Sequence, residues 1–256
     1  MAPAKLLLLV PILLFPAAAS AALPDEIQVY TDDINAPGEW SVELHVNTTP
    51  KGRRAAEFPG EVTPHHGLRV TPEISRGLTK TLDVGVYLPF VRDADGRALF
   101  GGPKARLKWL PLQPGDRGGM FAGLNWEYSW LNRNFEAETR RLELRPILGW
   151  KNERWLFATN PVLDWALNGP ERGGRPTFNP SFKVARNVAK DLSLGFEYYT
   201  ELGRLARPAP PGERAKTLYF AAEWEGGPVP MHFGIGRGNS AADRWTVKAI
   251  FEFSFR

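Results

Sequence analysis

The stretch Trp245–Phe255, followed only by Arg256, constrains this chain more than any other. Trp245, Val247, Ala249, Phe251, Phe253 and Phe255 alternate with Thr246, Lys248, Glu252 and Ser254, with Ile250 the one apolar residue of the second set. Successive strand side chains point to opposite faces, so one face here is apolar and aromatic throughout and the other is mostly polar. A soluble sheet can carry that pattern once. Here it closes the sequence, and a leader-like segment opens it: Lys5, an apolar run over Leu6–Phe15, then the small residues Ala19-Ser20-Ala21. Together they read as the closing strand of a Gram-negative outer-membrane β-barrel behind a signal peptide over residues 1–22.

After the leader, no apolar run approaches the roughly 18 residues of a transmembrane helix, so any crossing must be made by strands. The chain has no cysteine, which excludes a disulfide framework and thiol chemistry. Its formal net charge of +4 is too small to suggest nucleic acid, and none is expected as a partner. There is no Gly-rich phosphate loop, so transport would be passive and no cofactor is expected.

From Gly38 onward, alternation predicts twelve strands, which makes residues 38–256 one antiparallel transmembrane β-barrel. Their apolar faces begin with Trp40-Val42-Leu44-Val46, Leu68-Val70-Pro72-Ile74 and Leu82-Val84-Val86-Leu88. The segment Trp155–Trp165 is apolar on both faces and is the least regular of the twelve. Pro72, Pro146, Pro161 and Pro180 each remove a ladder donor or mark a bulge. Long connections largely alternate with short ones, as in barrels with short periplasmic turns and longer outside loops. An even strand number then puts both termini in the periplasm. Residues 23–37, which carry Asp25, Glu26, Asp32 and Asp33, are a periplasmic lead-in or a plug.

Tryptophan placement points the same way. Trp40, Trp109, Trp130, Trp150, Trp155, Trp165, Trp224 and Trp245 fall at or near predicted strand ends, and only Trp126 is central. Indole prefers the membrane–water interface, so these eight residues are the expected girdle. The expected surroundings are outer-membrane lipid and lipopolysaccharide. Lys51, Arg53 and Arg54 in one loop, with Arg204, Arg207, Arg214 and Lys216 in another, offer cations suited to lipopolysaccharide phosphates. The closing strand would be read by the barrel-assembly machinery.

Several passages resemble a family of outer-membrane proteins of the phenol-degradation-pathway (MetA-pathway) type, also described as transporter-like. They are Thr71-Pro72-Glu73 through Gly77-Leu78-Thr79, Leu82-Asp83-Val84-Gly85-Val86, Leu194-Gly195-Phe196-Glu197-Tyr198-Tyr199 and Phe233-Gly234-Ile235-Gly236. The likeness spans most of the chain after the leader. It implies a small channel or transporter-like barrel, with hydrophobic or aromatic compounds as the implied solutes. Arg256 departs from the pattern, because barrels of this kind commonly finish on the aromatic residue.

Strand parity points Arg69, Lys104, Arg106, Lys108, Arg145, Lys183 and Lys248 into the lumen, with Glu43, Glu73, Asp83, Glu127, Glu143, Glu197, Glu223 and Glu252. Such a set can form a selective constriction, or a salt-bridged filling that holds a narrow barrel open. Lys104, Arg106 and Lys108 stand out, since three cations in a row have no partner within their own strand. Enzymatic outer-membrane barrels need a nucleophile, a base and an orienting group. His45, His65, His66 and His232 include no His-x-Ser pairing, and His65-His66 lacks a spaced third metal ligand. No catalytic or metal residue is therefore expected. The reading is a channel for small solutes of unspecified identity, with a closed structural or binding barrel and a lipid-modifying enzyme as the alternatives.

Overall fold

The computed structural model describes residues 25–255, so the leader expected over residues 1–22, and Arg256, lie outside the described residues. Twelve strands form the wall: β1 Trp40–Lys51, β2 Leu68–Thr79, β3 Leu82–Tyr87, β4 Lys104–Leu112, β5 Gly119–Trp130 and β6 Arg140–Lys151. They continue as β7 Trp155–Ala166, β8 Thr177–Ala189, β9 Leu192–Thr200, β10 Lys216–Trp224, β11 Met231–Gly238 and β12 Trp245–Phe255. Each pairs antiparallel with the next, and β12 returns to β1 from Trp40↔Phe255 to Thr48↔Val247. The sheet is closed, which removes the unpaired edges that a membrane cannot solvate. The fold is all-β, a single twelve-stranded antiparallel barrel.

The alternation in the sequence becomes two chemically distinct faces. Inward Ser41, His45, Thr71 and Glu73 are buried, whereas outward Phe220, Leu218, Phe196 and Phe182 are among the exposed large apolar residues. In water that outer band would be a large liability; against hydrocarbon it is the face a barrel requires. β7 follows the same rule despite its apolar inner positions. Ala158 turns inward to join an internal cluster with Val29, Tyr30, Leu110, Phe121 and Ile147.

The prolines mark local breaks. Between β6 and β7 the ladder is interrupted from Leu144↔Leu163 to Leu148↔Thr159, the interval that contains Pro146 and Pro161. β3 ends at Tyr87, one residue before the predicted Leu88, and the chain resumes pairing with β2 in the hairpin Phe90–Arg92/Ala98–Phe100. A second small hairpin, Gly203–Arg204 with Arg207–Pro208, caps the loop after β9.

Both ends of the wall, Trp40 and Phe255, lie on the side of the short turns; the longer loops lie opposite. Trp40, Trp109, Trp150, Trp155 and Trp224 ring the short-turn end, and Trp130, Trp165 and Trp245 the long-loop end. Four of them face an arginine directly across the ladder: Trp40↔Arg76, Trp130↔Arg140, Trp155↔Arg186 and Trp245↔Arg237. The guanidinium carbons lie 4.9–5.5 Å from the ring centroids. Each pair sets a cation over an indole face, the arrangement that attracts it to the ring quadrupole.

Candidate functional site: a charged lumen threaded by residues 25–37

Residues 25–37 cross the inside of the barrel. Asp25 lies at the long-loop half, where its carboxylate meets Lys104 Nζ at 2.9 Å and its carbonyl accepts from Asn47 Nδ2 at 3.1 Å. Deeper, Lys248 Nζ donates to the Ile27 carbonyl at 2.9 Å, and Arg145 Nη1 to the Gln28 carbonyl at 3.3 Å. Asn160 holds Tyr30 from both sides: its Oδ1 accepts from the Tyr30 amide at 2.7 Å and its Nδ2 donates to the Tyr30 carbonyl at 3.1 Å. The Tyr30 hydroxyl bonds that of Tyr87 at 2.6 Å. At the short-turn end, Asn35 Nδ2 donates to Ser75 Oγ at 2.7 Å and Lys151 pairs with Asp32. Ile27, Val29, Tyr30 and Thr31 are buried, so the middle of the segment is packed lumen content, whereas Asp33 and Pro37 are exposed.

Most of the lumen charges expected from parity fall into three groups, and Arg141 forms another with Asp164, Glu136 and Glu138. In the first, Lys104 also meets Glu127 at 2.5 Å, while Arg145 joins Glu143 at 2.8 Å and Glu26 at 3.5 Å; Arg69 is 3.9 Å from Asp25. In the second, Arg106 bridges two strands, with Nε on Glu73 at 2.5 Å and Nη1 on Asp83. In the third, Lys248 and Lys183 both meet Glu197, Lys183 also pairs with Glu223, and His232 Nε2 is 3.1 Å from Glu197. Buried ions without such partners would carry a large desolvation penalty.

The fifteen charged residues that parity points inward are all buried or half-buried. The three cations of β4 do not act alike, however. Lys104 and Arg106 find acids on neighbouring strands and on the inner segment. Lys108 has no ion pair among the described residues; its ammonium sits 5.0 Å from the Tyr30 ring centroid. Parity could not show this, because the partners come from strand register and from residues 25–37.

Beside the inner segment, a cavity of about 360 Å³ opens toward the short-turn end. Asp33, Glu43, Lys183, His232 and Glu252 line it among other residues. At the opposite rim, burial pushes the carboxyls of Glu136 and Glu201 up to about 7, with Arg141 opposing the shift at both.

The histidines divide by place. His65 and His66 stack at 3.9 Å between centroids in the loop before β2, where His65 Nδ1 accepts from the Gly52 amide at 3.3 Å. His45 and His232 each stand among two lumen glutamates: Glu43 with Glu73, and Glu197 with Glu223. Sequence spacing gave no sign of these two groups, since each joins residues of two or three strands.

No protein-family model matches the chain, and no curated protein matches it. Solved structures do. An outer-membrane channel from Pseudomonas putida F1 superposes with a TM-score of 0.59 at 12% identity, covering 88% of this chain and 97% of that one. The KdgM porin superposes at 0.53 with 9% identity, covering 84% and 99% of the two chains. The NanC porin gives 0.51 at 10% identity, covering 85% and 99%. At these identities the likeness is one of fold: the chain has the architecture of outer-membrane porins.

Proposed function

We propose that this chain is an outer-membrane channel for small hydrophilic solutes, held closed at rest by its own residues 25–37. The observation that carries this reading is the segment's attachment. It fills a polar lumen through hydrogen bonds and ion pairs that water and a charged solute can replace. A permanent structural filling would be expected to use apolar packing, and here that is confined to the cluster around Val29 and Tyr30. The porin-like fold agrees with a channel, and the two tryptophan rings would place the membrane interfaces, with the short turns and both ends of the wall in the periplasm.

Lys104, Arg106, Lys108, Arg69 and Arg145, with Glu73, Asp83, Glu127 and Glu143, would meet a solute that displaced the segment. The further set Lys183, Glu197, Lys248 and Glu252 lines the other side. Such a wall suits charged or zwitterionic solutes. The hydrophobic or aromatic solutes implied by family resemblance would find a partner mainly at the rings of Tyr87, Tyr199 and Tyr219. The KdgM porin has also been solved in complex with disordered oligogalacturonate, a polar ligand.

The second reading, a closed barrel that binds a ligand, is favoured by the cavity beside the segment. Planar-bilayer recording separates the two. The refolded barrel is expected to show small, fluctuating conductance, and a variant lacking residues 25–37 a larger, steady one. Silence from both, with each protein folded by heat-modifiable migration, would select the closed barrel.

A further inference from the structure

Two lumen side chains, Glu43 and His45, stand apart from the networks paired with lysine or arginine, and Glu73 joins such a network through one oxygen only. Glu43 on β1 lies directly opposite Glu73 on β2 and, on its other side, opposite Glu252 on β12. Like charges set directly across a ladder destabilise a sheet. Arg106 takes one oxygen of Glu73, and Ser254 Oγ donates to Glu252 at 3.2 Å. Glu43 has no ion pair with Lys or Arg among the described residues; its one charged-group neighbour within pairing distance is His45. That side chain is fully buried, and neither ring nitrogen makes a hydrogen bond among the described residues.

The spacing is informative. His45 Nε2 lies 3.6 Å from Glu43 Oε2 and 3.7 Å from Glu73 Oε2. Both gaps are too long for hydrogen bonds. Around a tetrahedral ion with ligand bonds near 2.0–2.1 Å, neighbouring ligand atoms stand about 3.3–3.4 Å apart. The imidazole nitrogen stands at nearly that separation from each carboxylate oxygen, and all three atoms lie within 4.8 Å of one another.

We propose that Glu43, His45 and Glu73 form a lumenal site for one divalent transition-metal ion, with Zn²⁺ the best match to the ligand set. Two carboxylates and an imidazole suit this class of ion and leave a coordination position for water or a solute group. Arg106 holds Glu73 by its other oxygen and so orients Oε2 toward the site, the office of an outer-shell partner. Access is through Glu43, which lines the cavity that opens at the short-turn end. The ion would also relieve the repulsion between Glu43 and Glu73. The second histidine group has the same composition but a different state. The ammonium groups of Lys183 and Lys248 already occupy the carboxylates of Glu197 and Glu223, leaving little room for a further cation.

This inference is independent of the channel reading, and its test does not involve conductance. Untagged refolded barrel, stripped with chelator, is titrated with zinc chloride by calorimetry and with cobalt(II) chloride by absorption. The wild type is expected to bind one equivalent of Zn²⁺ and to give the intense ligand-field bands of four-coordinate Co²⁺. Glu43→Gln and His45→Asn are each expected to weaken binding roughly tenfold or more, a scale that even outer-shell losses reach. Glu223→Gln, in the lysine-filled group, is expected to bind as the wild type does. No stoichiometric uptake by the wild type would overturn the site, as would unchanged binding in folded Glu43→Gln and His45→Asn. If those variants do not fold, the wild-type spectrum decides: weak bands of six-coordinate Co²⁺ overturn the proposal, and intense four-coordinate bands support it.

Discussion

Two walls of the same lumen handle charge in opposite ways. Along β4–β6, most cations are matched by acids: Lys104 with Asp25 and Glu127, Arg145 with Glu143 and Glu26, Lys108 being the exception. Across β12, β1 and β2, three glutamates share one register, and only Glu73 has a guanidinium. The first wall borrows two of its acids from residues 25–37, so it is complete only while that segment is inside. At that register the second wall is short of positive charge whether the segment is present or not, because Lys248 on β12 and Arg69 on β2 face other acids, Glu197 and Asp25. The matched wall is thus part of the closure, and the unmatched wall is where an added cation would be most stabilising.

The sharpest way to break this comparison is to remove the residue that joins the two walls. Arg106 springs from β4 and bonds Glu73 on β2 and Asp83 on β3, with little access to water. Arg106→Met leaves both acids buried beside apolar carbon. Removing one partner of a buried pair typically costs about 3–5 kcal/mol. A fall of that size in urea-unfolding stability is expected in lipid micelles. A loss below about 1 kcal/mol, the range of exposed pairs, would show that water already screens the matched wall.

A smaller effect is expected where the inner segment meets the wall. The Gly77 amide donates to the Glu39 carbonyl, and its carbonyl accepts from the Gly38 amide, both at 2.9 Å. A Cβ on Gly77 would lie 2.1 Å from the Ala36 carbonyl oxygen and 2.6 Å from that of Asn35. These are backbone atoms, so the segment must shift. Gly77→Ala is expected to cost about 1–3 kcal/mol, the usual range for overpacking. Limited proteolysis should detect faster cleavage within residues 25–37, and bilayer recording a larger conductance. Unchanged protease resistance would mean that the segment is held from deeper in the lumen, by Asn160 and Lys248.

The barrel was legible in the sequence because a membrane enforces period-2 alternation on the strands, and apart from β7, apolar on both sides, the predicted apolar faces are the outward ones. Ile250 shows the limit of that signal: it breaks the polar pattern of β12 because it turns into the lumen, where it is buried and lines the cavity. The pairing of lumen charges was not legible. Lys104, Arg106 and Lys108 look alike along one strand, yet register gives the first two acids and the third an aromatic ring. Nor did composition place residues 25–37. Its acids suit solvent as well as a basic lumen, and the bonds from Asn160, Lys248 and Arg145 to residues 27–30 are tertiary contacts that leave no mark in the sequence.

The gentlest test lies on the unmatched wall, where the sign of the effect matters more than its size. With chelator present, Glu43→Gln removes one of two carboxylates set directly across a ladder. Such like-charge pairs destabilise by roughly 0.2–1 kcal/mol, so the variant is expected to match the wild type or exceed it by that margin. With excess zinc chloride the order should reverse. An ion that binds only the folded barrel stabilises it by RT ln(1 + [L]/Kd), about 2.7 kcal/mol at one hundred times Kd, and the variant forfeits most of this gain. Paired unfolding curves, with and without zinc, measure both signs in one preparation. A variant less stable than the wild type even in chelator would mean that Glu43 holds the wall by itself, and that the three glutamates of this register are not a charge excess.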